Sequence, residues 1–268
     1  MTSTKKTTGD TAEQMYAVNQ NVNVESNSPP NVSRLMFGVD SKVKSNTILQ
    51  NNLTEFEWVV RNKLYPSFWG RYIVGKDALG KDEINFLHHQ GCPIAIIYDT
   101  SNTDFSEEHG ILEAEKAIDC VKELDIPTGT AIFLEISEIC NVPCEYMRGY
   151  AQTLIDSGYT PGFKANTDAK FTFDREFSIG MQNHKDIFKE CLIWAVSPSL
   201  TEYDRITTSH LISPDNWKPF APSSITRRDI AVWQYGKNCH PIEDDNENET
   251  TFNVNLIRND DIFFDKIY

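Results

Sequence analysis

The stretch PIAIIYDTSNTDFSEEHGILEAEKAIDCVKELDIPTGTAIFLEI, residues 93–136, decides how the chain folds. It opens with an apolar run, PIAIIYD (93–99), and closes with a second, TAIFLEI (130–136). Between them Ile111, Ala114, Ile118, Val121 and Leu124 recur at three- and four-residue steps, which predicts a helix over 109–127. A proline and a glycine then punctuate the approach to the next strand. Both runs are too continuously apolar to have a water-facing side, so they read as parallel strands buried on both faces and joined by a crossover helix. Both also end on a charge, Asp99 and Glu135, which a core-filling strand has little reason to carry.

Outward from this unit the same alternation continues. Upstream lie RLMFGVD (34–40), a helical LTEFEWVVRNKL (53–64), FWGRYIVG (68–75) and a helix, GKDEINFLHHQG (80–91), stopped by its glycine. Downstream come CEYMRGYAQTLIDSG (144–158) as helix, YTPGFKA (159–165) as strand, a helical segment near 174–189, and the strand CLIWAVS (191–197). A longer irregular stretch leads to DIAVWQYG (229–236), and TFNVNLI (251–257) closes the series. Eight strands alternating with helices predict an α/β fold, a TIM (β/α)8 barrel in one domain over residues 31–268. A doubly wound open sheet is the alternative, but no G-x-G-x-x-G follows any strand. The polar first 30 residues read as a disordered tail.

Composition narrows the function. Of 268 residues, 40% are hydrophobic and 24% charged, as in ordinary globular domains, and no apolar run approaches the ~20 residues that span a bilayer. The net charge of −14 argues against a nucleic-acid partner, because binding to phosphates relies on Lys and Arg. A neutral or cationic ligand fits better, although acidity also serves solubility alone. The tail lacks the apolar segment of a secretory signal, and the triplets at Asn31, Asn52 and Asn248 would accept glycans only in a secretory pathway, so the compartment stays open. The six cysteines are too dispersed for a disulfide scaffold, and Cys140 and Cys144 have no second ligand pair. Neither a metal nor a cofactor is expected.

In a TIM barrel, reactive groups project from the carboxyl ends of the strands into a common mouth. Asp40 ends the first strand, Asp99 the third and Glu135 the fourth, so the three carboxylates are expected to converge there beside Tyr98, Trp194, Trp233 and Tyr235. Acids after strands also serve as helix caps. Aromatic faces beside carboxylates suit a sugar, whose C–H faces pack on π-systems while acid chemistry cleaves the acetal. His109, which opens the helix after the third strand, is a further site candidate. His88 and His89 point about 100° apart on their helix and read as structural; His184 and His210 have no assigned place.

The segments MFGVD, RYIVG, DEINFLHHQGCPIAIIYD, HGILEAEKAIDCVKELDIPTGTAIFLEIS, YMRGYAQTLIDSGYTPGF, LIWAV and AVWQYG together resemble a glycoside-hydrolase-like TIM-barrel domain of unknown function found in many bacterial proteins. That family is similar in turn to the family-25 glycoside hydrolases, the muramidase lysozymes. The resemblance spans about residues 34–260. It implies Asp40 and Glu135 as the surviving catalytic pair, with Glu135 as general acid in a desolvated mouth and Asp40 ionised. It also implies Gln234 turned inward toward a sugar hydroxyl, with Trp233 left as packing, and Asn255 standing where an Asp is common. At the fourth strand the family tends to carry a second acid two residues after the first, the one expected to protonate the leaving group; here that place holds Ser137. Glu138 reaches the mouth only if the strand end is bulged. Three functions follow as expectations: a hydrolase of cell-wall or related polysaccharide, a catalytically lapsed barrel that binds glycan, and an interaction domain.

Overall fold

The computed structural model describes residues 35–100, 104–200, 204–206, 216–241, 250–258 and 263–268. The segment read as a tail, the glycan triplets at Asn31 and Asn248, and His210 lie outside the described residues. Five strand–helix units come first: β1 (Leu35–Ser41) and α1 (Glu55–Arg61), β2 (Trp69–Tyr72) and α2 (Lys81–His89), β3 (Ile94–Asp99) and α3 (Glu107–Glu123), β4 (Ala131–Ile136) and α4 (Cys144–Asp156), β5 (Thr160–Ala165) and α5 (Thr172–Asn183) with the short α6 (Lys185–Phe188). Then follow β6 (Leu192–Leu200), the two-residue β7 (Arg205–Ile206), β8 (Ile230–Pro241) and β9 (Phe252–Arg258). No α-helix follows β6 among the described residues, and none of the described helices is long and apolar enough to cross a membrane.

The sheet order is β6-β5-β4-β3-β2-β1-β9-β8-β7, and a β6–β8 pairing closes it into a ring of eight strands. The expected closed α/β barrel is therefore present, with one feature the apolar pattern did not carry. β1 to β6 run parallel, as does the closing β6–β8 pair, whereas β9 is antiparallel to both β8 and β1. The reason lies in the connection: a parallel return needs a crossover of a dozen or more residues, usually a helix, and the segment between β8 and β9 is too short for one.

Strand alternation divides the apolar residues into two layers. On β4, Ile132, Leu134 and Ile136 face the helices, while Ala131 and Phe133 face the barrel axis. The axis is filled by aromatic side chains: Trp194 meets Phe133 at 5.3 Å and Phe68 at 5.9 Å, and Phe68 meets Phe263 at 5.0 Å. Parity then turns Glu135 toward the axis, along with Asp40 on β1, Tyr72 on β2, Asp99 on β3 and Lys164 on β5. Register aligns three of them, Asp99 opposite Glu135 and Glu135 opposite Lys164.

Candidate active site

Lys164 is the centre of the mouth. Its side chain is fully buried, and its ammonium donates to Asp40 Oδ2 at 2.7 Å and to the Tyr72 hydroxyl at 3.0 Å. It also lies 3.3 Å from Glu135 Oε1, with the rings of Trp194 and Tyr72 at 5.1 and 5.3 Å. Burial alone would push the ammonium's pKa down, but the carboxylates of Asp40 and then Glu135 hold it well above the ordinary lysine value. Lys164 is therefore a fixed cation. Burial, reinforced by the charges of Asp40 and Glu135, raises the Tyr72 phenol, which stays neutral and accepts from Lys164.

Asp40 is also fully buried and receives two further hydrogen bonds, from Asn255 Nδ2 to Oδ1 at 2.8 Å and from Asn253 Nδ2 to Oδ2 at 2.9 Å. Asn255 in turn accepts from Trp194 Nε1 at 2.9 Å. These contacts need room at β2, where Gly70 provides it: a Cβ there would stand 2.6 Å from that of Asp40 and 2.9 Å from Trp194 Cη2.

Glu135 is the more accessible acid, its side chain 25% exposed. Because one ammonium lies 2.7 Å from Asp40 and 3.3 Å from Glu135, the two nearest oxygens are separated by no more than those lengths end to end, about 6 Å. Asp99, opposite Glu135 on the neighbouring strand, is partly exposed and pairs with the exposed Lys42 at 3.0 Å. Ser137 is exposed at the start of the loop after β4, and Glu138 accepts from Asn166 across the rim at 3.0 Å.

The other expected residues divide. Gln234 is almost fully buried, opposite Asn255 on β9, and shares the axial side of its strand with Val232. Trp233 packs in the outer layer and donates to the Ser197 carbonyl at 3.1 Å. Trp194 reaches the mouth only as its floor, since it is fully buried and offers no open face. Tyr98 is corrected: strand parity turns it outward, where its hydroxyl donates to Glu113 of α3 at 2.6 Å. His109 lies in the first turn of α3, where its backbone N–H donates to the N-cap Ser106 Oγ at 3.3 Å; its Nδ1 stands 2.9 Å from both Ser106 Oγ and Asp104 Oδ2, and none of these bonds involves Lys164, Asp40 or Glu135. His88 packs against Tyr268 at 4.6 Å, consistent with a structural part.

Sequence reasoning missed Lys164, Tyr72 and Asn253. The signal for Lys164 was present: a lone charge in TPGFKA, at the same strand-end position as Glu135. It also missed Phe220, which is 49% exposed at the rim and tied by its backbone to Thr167 after β5 and Ser197 of β6.

Behind the mouth, on the outward side of β1 and β2, lies a second buried polar group. Arg71 donates to Glu83 at 2.7 Å and to the Ser41 carbonyl, and Ser41 Oγ donates to Glu55 Oε1 at 2.8 Å. Glu55 is completely buried and its Oε2 has no partner among the described residues; burial pushes its pKa up to about 8, against the opposing pull of Ser41 and Arg71.

These contacts make the mouth a cation-centred polar cup with two partly open carboxylates, Glu135 and Asp99, suited to hydrogen-bonding a polyol. A solved structure of an uncharacterized B. stearothermophilus protein shares the fold with a TM-score of 0.66 at 24% identity, covering 87% of this chain and 100% of its own. The catalytic domain of endolysin ply40, from bacteriophage P40 of Listeria monocytogenes, aligns with a TM-score of 0.52 at 15% identity over 89% of this chain and 99% of its own. GHIP, a glycosyl hydrolase 25 of Streptococcus pneumoniae, does so with a TM-score of 0.51 at 11% identity over 92% and 91%. At such identities the likeness is one of fold. Curated protein sequences give no match. The model of the family described as "Rv2525c-like, glycoside hydrolase-like domain" matches residues 65–254, from the turn before β2 into β9. The chain therefore belongs to the Rv2525c-like, glycoside hydrolase-like domain family.

Proposed function

We propose that the barrel mouth binds a glycan of the cell-wall or related polysaccharide class, and that it recognises this ligand without hydrolysing it by general acid catalysis. The observation that carries the reading is the placement of Lys164 between Asp40 and Glu135. General acid catalysis needs a group that delivers a proton at the working pH. Glu135 is ion-paired with an ammonium, Lys164 holds its proton too tightly to serve, and Ser137 stands where the family resemblance puts the donor. What remains is a set of polar groups, with Phe220 exposed at the rim as a face for a pyranose ring. The names of the structural neighbours, an endolysin and a glycosyl hydrolase 25, support a glycan as ligand class.

A second reading, hydrolysis, is favoured by one observation: Asp40 and Glu135 lie within about 6 Å at one barrel end, near the separation used by retaining glycosidases. Incubating the protein with insoluble peptidoglycan and chitin, and following both co-sedimentation and release of reducing ends, separates the two. Binding without release is the expected result. Release that disappears in Glu135→Gln would establish hydrolysis, and absence of both binding and release would overturn both readings.

A further inference from the structure

At the end of the barrel opposite the mouth, a cavity of about 570 Å³ lies beside the starts of β6 and β8. Its origin is the break in the strand–helix alternation: no α-helix follows β6 among the described residues, and the chain enters β8 through a short 3-10 turn, Arg227–Asp229. The segment leading into that turn is fixed in place. Ser223 Oγ donates to Asp174 Oδ1 of α5 at 2.9 Å, Thr226 and Asp229 form a capping box, and Trp217 Nε1 donates to the Arg227 carbonyl at 2.9 Å. The cavity is therefore preformed, and its size is that of a small-molecule site.

Two kinds of surface meet in it. Met181, Leu192, Ile225 and Ala231 are half-buried on its walls, with Phe177 and Phe263 enclosed behind them. Its described ionisable residues are Lys189, Arg228, Arg258 and Asp229, three cations to one anion on a chain whose net charge is −14. The anion is already committed: Asp229 Oδ2 accepts from the amide and hydroxyl of Thr226 at 2.7 and 2.8 Å. Arg258 donates to the Arg228 carbonyl, and its guanidinium carbon stands 5.5 Å from the centre of the Trp217 ring, so the two arginines are held side by side at the rim, with Arg228 exposed. Ser224 Oγ is buried in the wall with no hydrogen-bond partner among the described residues.

We infer that this cavity binds an amphiphile with one anionic head, an alkyl carboxylate or alkyl phosphate. Its chain lies against Met181, Leu192, Ile225 and Ala231, and its head meets Arg228 and Arg258, with the Ser224 hydroxyl as a further donor. The apolar walls select a chain that leaves water, and the guanidinium forks match carboxylate and phosphate oxygens, whereas a cationic head would be repelled. The site stands apart from the glycan reading, because it occupies the other end of the barrel.

Titration calorimetry of the full chain with decanoate, decyl phosphate and decyltrimethylammonium, each below its micelle-forming concentration, tests this. The three share a chain and differ in the head. Wild type is expected to bind one or both anions, and the ammonium about ten-fold more weakly or not at all. The tighter anion identifies the head. Arg228→Glu, a change at an exposed position, should weaken anion binding about ten-fold at unchanged Tm. Met181→Glu, which puts a charge on the apolar wall and leaves the rim cations in place, should weaken it as well. Anion affinity unchanged in both variants would place the site elsewhere and overturn the inference. Equal binding of anion and ammonium would reduce the cavity to an apolar surface without a head site, and no binding of any of the three would leave it without a ligand of this class; either result overturns the inference while leaving the glycan reading of the mouth untouched.

Discussion

Lys164 and Asp40, 124 residues apart in the chain, form a fully buried ion pair at 2.7 Å across the mouth of the barrel. The pair joins β5 to β1, strands that are not neighbours in the ring, and so ties opposite parts of the wall together. It also sets the chemistry of the mouth, because the same ammonium reaches Glu135.

Removing one partner strands the other. Lys164→Met should destabilise the fold by about 3–5 kcal/mol, because it leaves the fully buried Asp40 without its ion-pair partner. Asp40→Asn combined with Lys164→Met should lose less than the two single losses together, as read by denaturant unfolding of all four proteins. Strict additivity would show that the two side chains are not energetically coupled.

Gly70→Ala should be destabilising by about 1–3 kcal/mol, since the added methyl meets Asp40 Cβ and Trp194 Cη2 where neither can retreat. Asp40 is held by three donors and Trp194 is enclosed. A variant that melts with wild type would mean that the mouth is looser than this geometry.

Glu55 makes stability depend on pH with a definite sign. Its folded pKa of about 8 lies above the ordinary 4.5, so between those values the folded protein holds a proton that the unfolded chain has released. Stability from this residue is complete below about pH 4.5 and declines as pH rises toward 8. Glu55→Gln, which carries no titrating proton, should remove the decline: the variant's Tm relative to wild type should be higher at pH 8 than at pH 5. A difference independent of pH would refute the assignment.

At the rim, Phe220→Ala should weaken glycan binding by about 0.5–1.5 kcal/mol without shifting Tm, since the ring is half exposed. Calorimetry and a melt of the same preparation check it. Unchanged affinity would place the sugar elsewhere on the mouth.

The sequence by itself determined the barrel. Apolar strands without a polar face can only be buried on both sides, and helices of 3.6-residue period between them supply the outer cover, so eight such strands specify a closed α/β ring. It also placed Asp40, Asp99 and Glu135 at strand ends, because alternation and strand length are local properties. The tertiary structure alone decided what those acids face. Lys164 neutralises Asp40 through a contact across the barrel axis, and Tyr98, adjacent in sequence to Asp99, turns to the helices because neighbouring residues on a strand point to opposite sides. The direction of β9 likewise followed from the extension of β8 to Pro241, which leaves too short a connection for a crossover helix. Pairings between distant strands are set by closure and register, which no local pattern of residue types contains.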